Sequence, residues 1–151
     1  MTSRRSKTLV PYTSDEMFNL VADIERYPAF LPWCVALRVV DKRQAPPHDF
    51  LTADMIVAYK VFRERFRSEV KLDAARREIE VEYVDGPFRT LKNRWNFTDQ
   101  PAGGCEVDFY IEFEFRNFFL HATAQSVFEK AFARMSDAFV ERARVVYGER
   151  S

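Results

Sequence analysis

The sequence predicts an α+β fold in which a curved antiparallel sheet is covered by two short N-terminal helices and one long C-terminal helix. Three observations carry this reading. Apolar and charged residues alternate with period two in successive segments between Val35 and Phe115. The connections between those segments are too short for crossover helices, which favours an antiparallel meander. From about Leu120 to Tyr147 apolar residues recur at helical spacing. The 151 residues fall in the size range of one domain, so residues 1–151 are expected to fold as a single unit that needs no metal or disulfide.

In chain order, Lys7 to Tyr12 reads as a first strand that Pro11 ends or confines to an edge. Thr13 or Ser14 offers a helix cap, Asp15 and Glu16 suit a first turn, and Met17, Phe18, Val21 and Ala22 give a short amphipathic helix. Asp23 to Tyr27 extends that helix or begins a second one. Pro28 and Pro32 then break the chain into an aromatic corner running from Tyr27 to Cys34. Strands are expected over Val35–Arg43, Leu51–Tyr59, Phe62–Leu72, Glu78–Val84, Thr90–Thr98 and Cys105–Phe115, separated by turn residues such as Asp85-Gly86-Pro87 and Pro101-Ala102-Gly103-Gly104. After Asn117 a broad stripe including Val127, Phe128, Ala131, Phe132, Met135 and Phe139 marks the long helix, with Gly148 as its stop.

The alternation gives the sheet one apolar and one charged face. In meander order the charged stripes read basic, acidic, basic, acidic: Arg63, Arg65 and Arg67; Glu78, Glu80 and Glu82; Lys92 and Arg94; Glu112 and Glu114. Adjacent strands thus place opposite charges side by side, which helps specify pairing while each exposed pair adds only a few tenths of a kcal/mol.

Composition narrows the function classes. The 23 basic residues balance 23 acidic ones, and this lowers a nucleic-acid-binding reading, with no DNA expected as a partner, without excluding a local basic patch. Fifteen Phe, six Tyr and two Trp supply either a Phe-rich core or an aromatic-lined cavity. Two cysteines, Cys34 and Cys105, make neither a disulfide scaffold nor a four-ligand zinc site and are expected as buried thiols. Met1 to Lys7 is basic with no apolar stretch after it, which is unlike a signal peptide, and no run reaches the length of a membrane span. Enzyme signals are weak: His48 sits in a Pro-rich turn and His121 near a helix start, neither beside an evident carboxylate partner, and no phosphate loop is present.

Several stretches carry a resemblance: Leu9-Val10-Pro11-Tyr12, Met17 through Cys34, Asp85-Gly86-Pro87-Phe88, Trp95-Asn96-Phe97, Phe113-Glu114-Phe115 and Met135 through Ala143. Together they resemble the coenzyme Q-binding and ribosome-association toxin RatA family of the START-like (polyketide cyclase/dehydrase-like) superfamily. The resemblance implies a helix-grip fold, a long helix closing a hydrophobic cavity against a curved sheet. It implies noncatalytic binding of ubiquinone or a related hydrophobic small molecule, delivered or positioned for respiration, with no cofactor required. Such a protein would be cytoplasmic, with peripheral contact at the inner face of a respiratory membrane or with a respiratory complex. It implies as alternatives a protein that binds the large ribosomal subunit and impedes subunit association, or a polyketide cyclase-like enzyme. Arg63-Glu64-Arg65-Phe66-Arg67 is more heavily charged than in many relatives, and His121 to Gln125 lacks a glycine often found there.

A lipid carrier needs an apolar enclosure with a few polar groups for the ligand's head. The inward parity of the sheet offers Val81, Tyr83, Leu91, Trp95, Phe109, Ile111 and Phe113, and the facing helix offers Phe128, Phe132, Met135 and Phe139. Asn93 and Ser68 interrupt the apolar face and are candidate partners for a quinone oxygen. Tyr27 and Trp33 are expected near an entrance. Simple core packing competes with ligand contact at each of these positions, and no catalytic or metal-binding residue is assigned.

Overall fold

The structure is a computed structural model that describes residues 2–59 and 62–150. Seven strands, β1 (Thr2–Val10), β2 (Cys34–Ala45), β3 (His48–Tyr59), β4 (Phe62–Asp73), β5 (Glu78–Asp85), β6 (Phe88–Asp99) and β7 (Cys105–Phe115), form one antiparallel sheet in the order β1-β7-β6-β5-β4-β3-β2. Helix α1 (Ser14–Ala22) and a 3-10 helix (Ile24–Ala29) lie between β1 and β2, and α2 (Phe118–Ala133) and α3 (Met135–Tyr147) follow β7.

Two parts of the expected architecture are overturned. The sheet is open: β1 and β2 are its two edges and do not pair with each other, so no curled, closed grip forms. The long C-terminal helix is interrupted at Arg134 (φ −97°, ψ −3°). No Gly or Pro marks that break. It lies two residues before Ser136, which is buried and whose hydroxyl pairs with that of Ser6 on β1 at 2.9 Å. The interruption falls where α3 is seated against the sheet edge, and apolar periodicity is blind to such a contact. The second N-terminal helix is a 3-10 turn with Pro28 inside it.

The first strand also starts earlier than expected. Thr2 pairs with Phe113 and Val10 with Cys105, so the polar N-terminal residues belong to an edge strand, and Tyr12 is buried beyond its end. The α1 cap follows the sequence signal: the Thr13 hydroxyl accepts from the Glu16 N–H (3.1 Å) and the Glu16 carboxylate accepts from the Thr13 N–H (3.0 Å).

On the outer face, Glu80 opposes Arg94, Glu82 opposes Lys92, and Lys92 opposes Glu112, as the charge pattern predicts. The β4–β5 pairing differs, because Lys71 opposes Glu80 and Glu69 opposes Glu82. Strand β4 has 12 residues against eight in β5, so Arg63 and Arg65 run beyond β5 and find no Glu there. Arg65 and Arg67 turn to Asp54 on β3 instead. The β5–β6 turn folds back onto β4 at Gly86 (φ +142°), where a Cβ would lie 2.6 Å from the Cβ of Phe66; only glycine fits that approach.

Candidate functional site

The inner face of β2–β7, the 3-10 helix corner and the two C-terminal helices enclose an apolar cavity of about 100 Å³. Two aromatic clusters bound it. Phe88 is fully buried and gathers Phe66, Phe113, Phe115 and Phe128 around it, with ring centroids 4.9–6.3 Å apart. At the other end Trp95 stacks near Phe97 and Phe109, and Phe139 of α3 meets Trp95, Tyr27 and Phe30 edge-on at 5.0–5.1 Å. Edge-to-face packing of this kind fixes ring orientation as well as burying area.

The sheet brings most of the sequence candidates to this space. Tyr27, Trp33, Ser68, Val81, Leu91, Asn93, Trp95, Phe109 and Ile111 line the cavity, and Phe128, Phe132, Met135 and Phe139 line it from the helices. Tyr83 and Phe113 do not. The Tyr83 hydroxyl is engaged by the Phe88 N–H (3.2 Å) and its ring packs against Phe88, while Phe113 is buried behind Phe128 and Phe132. Inward parity is shared by both, yet parity does not say which inward side chain is screened by its neighbours.

The residues that pattern reading passed over come mainly from β2 and β3: Leu37, Ala53, Met55 and Val57, together with Ile24 and Leu31. Register shifts between Cys34 and Ala36 and between Val39 and Asp41 break the alternation of β2, which hid the inward face of that edge. The strong apolar run Met55-Ile56-Val57-Ala58 was the available signal.

The lining is almost wholly apolar, so its few polar atoms stand out. Asn93 lies between Val81 of β5 and Ile111 of β7, and its Oδ1 is buried without a hydrogen-bond partner. An acceptor left in that state costs free energy until a donor reaches it. Ser68, on the neighbouring row opposite Tyr83 and Ala53, is also buried. Tyr27 is already committed: its hydroxyl donates to the Val21 carbonyl, and burial pushes its pKa far above the ordinary tyrosine value. Among the described residues the lining contains no His, Cys, Lys, Arg, Asp or Glu.

Both cysteines are buried and unpaired, and burial pushes Cys34 up to about 11 and Cys105 up to about 12, so they remain protonated thiols. His48, read from sequence as lacking a carboxylate partner, lies 3.3 Å from Asp73. Strand pairing brings the start of β3 beside the end of β4, a proximity the turn sequence alone does not reveal. Asp73 also accepts from the Arg76 N–H, and the groove around the pair, formed by Pro47, Lys71, Arg76, Glu78 and Glu80, offers no Ser, Thr or Cys among the described residues. His121 is exposed on α2. Among the described residues no cluster of three or more metal-ligating side chains occurs, and no helix is long and apolar enough to cross a membrane.

An open antiparallel sheet with helices laid over an apolar cavity defines the chain as a START-like α+β protein. The family described as polyketide cyclase / dehydrase and lipid transport matches residues 10–140, and the chain belongs to it. The chain is 33% identical over 142 residues to the ribosome association toxin RatA of Escherichia coli K12, covering 94% of this chain and 87% of that one. It is 28% identical to the mitochondrial coenzyme Q-binding protein COQ10 homolog B of Xenopus laevis, covering 91% of this chain but 56% of that protein. The solution structure of an 18 kDa protein from Caulobacter crescentus is 31% identical and superimposes with a TM-score of 0.80 over 99% of this chain and all of that one.

Proposed function

We propose that this protein is a ribosome-associating protein of the RatA kind. The observation that carries the reading is the likeness to RatA along nearly the whole of both chains, helices and cavity-forming strands included. The test is cosedimentation of the purified protein with isolated large ribosomal subunits, followed by a subunit-association assay. The expected result is salt-sensitive binding to the large subunit and fewer intact ribosomes; absence of binding at both low and physiological salt sinks the reading.

A specific observation favours a second activity, noncatalytic binding of a hydrophobic molecule such as a quinone. The buried, unpartnered Oδ1 of Asn93 faces an almost wholly apolar enclosure. A side-chain amide accepts from a quinol hydroxyl through its oxygen and, flipped, donates to a quinone carbonyl through its nitrogen, so one residue serves both redox states. A lining whose described residues include no His, Lys, Arg, Asp or Glu suits carriage rather than turnover. The cavity of about 100 Å³ is smaller than the roughly 300–1,000 Å³ of most ligand pockets, so a ring-sized head fits as the chain stands and an isoprenoid tail requires a helix to move. Lipid extraction and native mass spectrometry of gently purified protein test this reading. Recovery of a quinone from wild type, and its loss from Asn93→Leu, is the expected outcome; no bound or bindable quinone in either protein counts against it.

A further inference from the structure

Charge is unevenly spread over the outer face of the sheet, although the chain as a whole is neutral. Four arginines, Arg38 of β2 and Arg63, Arg65 and Arg67 of β4, project from one end of it and are exposed. Between them lies Asp54 of β3, whose side chain is only 9% exposed. Strand register places Arg38 and Arg67 directly on either side of Asp54. The Arg65 Nη2 donates to Asp54 Oδ2 at 2.7 Å, and Arg67 donates through Nε to Oδ1 (2.7 Å) and through Nη2 to Oδ2 (3.0 Å). These bonds, Arg67's above all, hold Asp54 well below the usual carboxylate range. Asp85 lies opposite Arg67 on β5, and Glu69 follows Arg67 on the same face of β4, where Arg43 engages it.

The consequence is geometric. A bidentate carboxylate locks the Arg67 fork, yet that side chain keeps 44% of its surface in solvent and Arg65 keeps 67%, so the remaining N–H groups point outward. Arg63, Arg65 and Arg67 recur along a rigid strand at intervals of roughly 7 Å. Regular spacing suits a polymer whose charges come at fixed intervals; the phosphates of a bilayer diffuse freely and demand no such register. Asp54 therefore looks less like a neutraliser than like a mount.

We infer that this end of the β2–β4 outer face is a docking surface for the phosphate backbone of RNA, with Arg38, Arg63, Arg65 and Arg67 as the phosphate contacts and Asp54 as the residue that positions them. That the RNA is ribosomal rests on the ribosome-association reading; the surface itself does not. Its contacts read backbone rather than sequence, so binding is strongly salt-dependent and tolerant of sequence.

The experiment measures binding of wild type, R63Q/R65Q/R67Q and D54N to isolated large ribosomal subunits and, separately, to a short RNA duplex, over a salt series. Circular dichroism and urea midpoints check that each variant is folded. The triple variant is expected to bind both at least about tenfold more weakly and to lose about one unit of salt slope per arginine removed. D54N separates a built site from a merely positive one: it makes the face more positive by one charge, yet it is expected to bind a few-fold more weakly. Tighter binding by D54N overturns the positioning role. Equal subunit binding by wild type and the triple variant overturns the surface and leaves ribosome association standing. Arginine-dependent binding of the duplex without subunit binding leaves the surface standing and removes the ribosome reading. Arginine-dependent binding to phosphatidylcholine vesicles containing phosphatidylglycerol, with no RNA binding, overturns the inference in favour of lipid headgroups.

Discussion

The two C-terminal helices cover the same cavity but are held in different ways. Helix α3 is tied to the N-terminal half of the chain by directional bonds: Ser136 to Ser6, the Tyr147 hydroxyl to the Glu16 carbonyl (2.9 Å), the Tyr12 hydroxyl to the Gly148 carbonyl (2.7 Å), and Arg150 to the Glu16 carboxylate (2.6 and 2.9 Å). Its core anchor, Phe139, is 1% exposed. Helix α2 is capped by Asn117 and touches β1 through Gln125 and Thr2, and among the described residues its contacts with the sheet centre on the apolar Phe128. Its Phe118 and Phe119 stand 84% and 73% exposed. Apolar contacts are non-directional and tolerate sliding in a way that short hydrogen bonds do not. On this ground α3 is expected to act as the fixed wall of the cavity and α2 as the yielding one.

Four measurements press on that difference. Phe139→Ala removes the anchor of the fixed wall and is expected to cost about 3–5 kcal/mol in urea unfolding, because the surrounding rings of Trp95, Tyr27 and Phe30 leave a void that cannot collapse. Phe132→Ala, in the yielding wall and only partly buried, is expected to cost about 2 kcal/mol and to raise the uptake of a hydrophobic dye by enlarging the cavity. If the Phe132 variant proves as destabilised as the Phe139 variant, the two walls are equivalent and the comparison collapses. Ser136→Ala deletes one hydroxyl pair and is expected to lose about 1 kcal/mol, with faster amide exchange in the first turns of α3.

The smallest effect is electrostatic. Arg150, and then the Thr13 N–H, lower the Glu16 carboxyl from 4.5 to about 2. A carboxylate whose pKa is depressed by folding binds fewer protons in the native state than in the unfolded one. Its contribution is complete above the unfolded value of 4.5 and is lost as pH falls toward 2. The melting temperature of wild type should therefore fall more between those limits than that of Glu16→Gln, and parallel curves would show that the α3 tail is not held this way.

Much of the cavity was legible in the sequence because period-two alternation reports directly on which face a side chain takes. Strand β7 is the clearest case: Cys105, Val107, Phe109, Ile111, Phe113 and Phe115 are all buried. Asn93 and Ser68 could be singled out for the same reason, as polar residues at apolar parity. The β2 edge was harder, since its bulges shift parity partway along the strand. Tyr83 and Phe113 have the right parity but are screened by Phe88 and Phe128, and screening depends on rotamers set by other elements.

By itself the sequence determined the strands, their antiparallel succession, the capped first helix and the apolar inner face, all of which follow from local periodicity and turn chemistry. Only the tertiary structure decided that the sheet stays open, that the last helix breaks at Arg134, that His48 meets Asp73, and that Arg65 and Arg67 converge on Asp54. Each of these depends on which strand ends lie side by side and how far one strand outruns the next, and that is fixed by long-range register rather than by any residue's near neighbours in the chain.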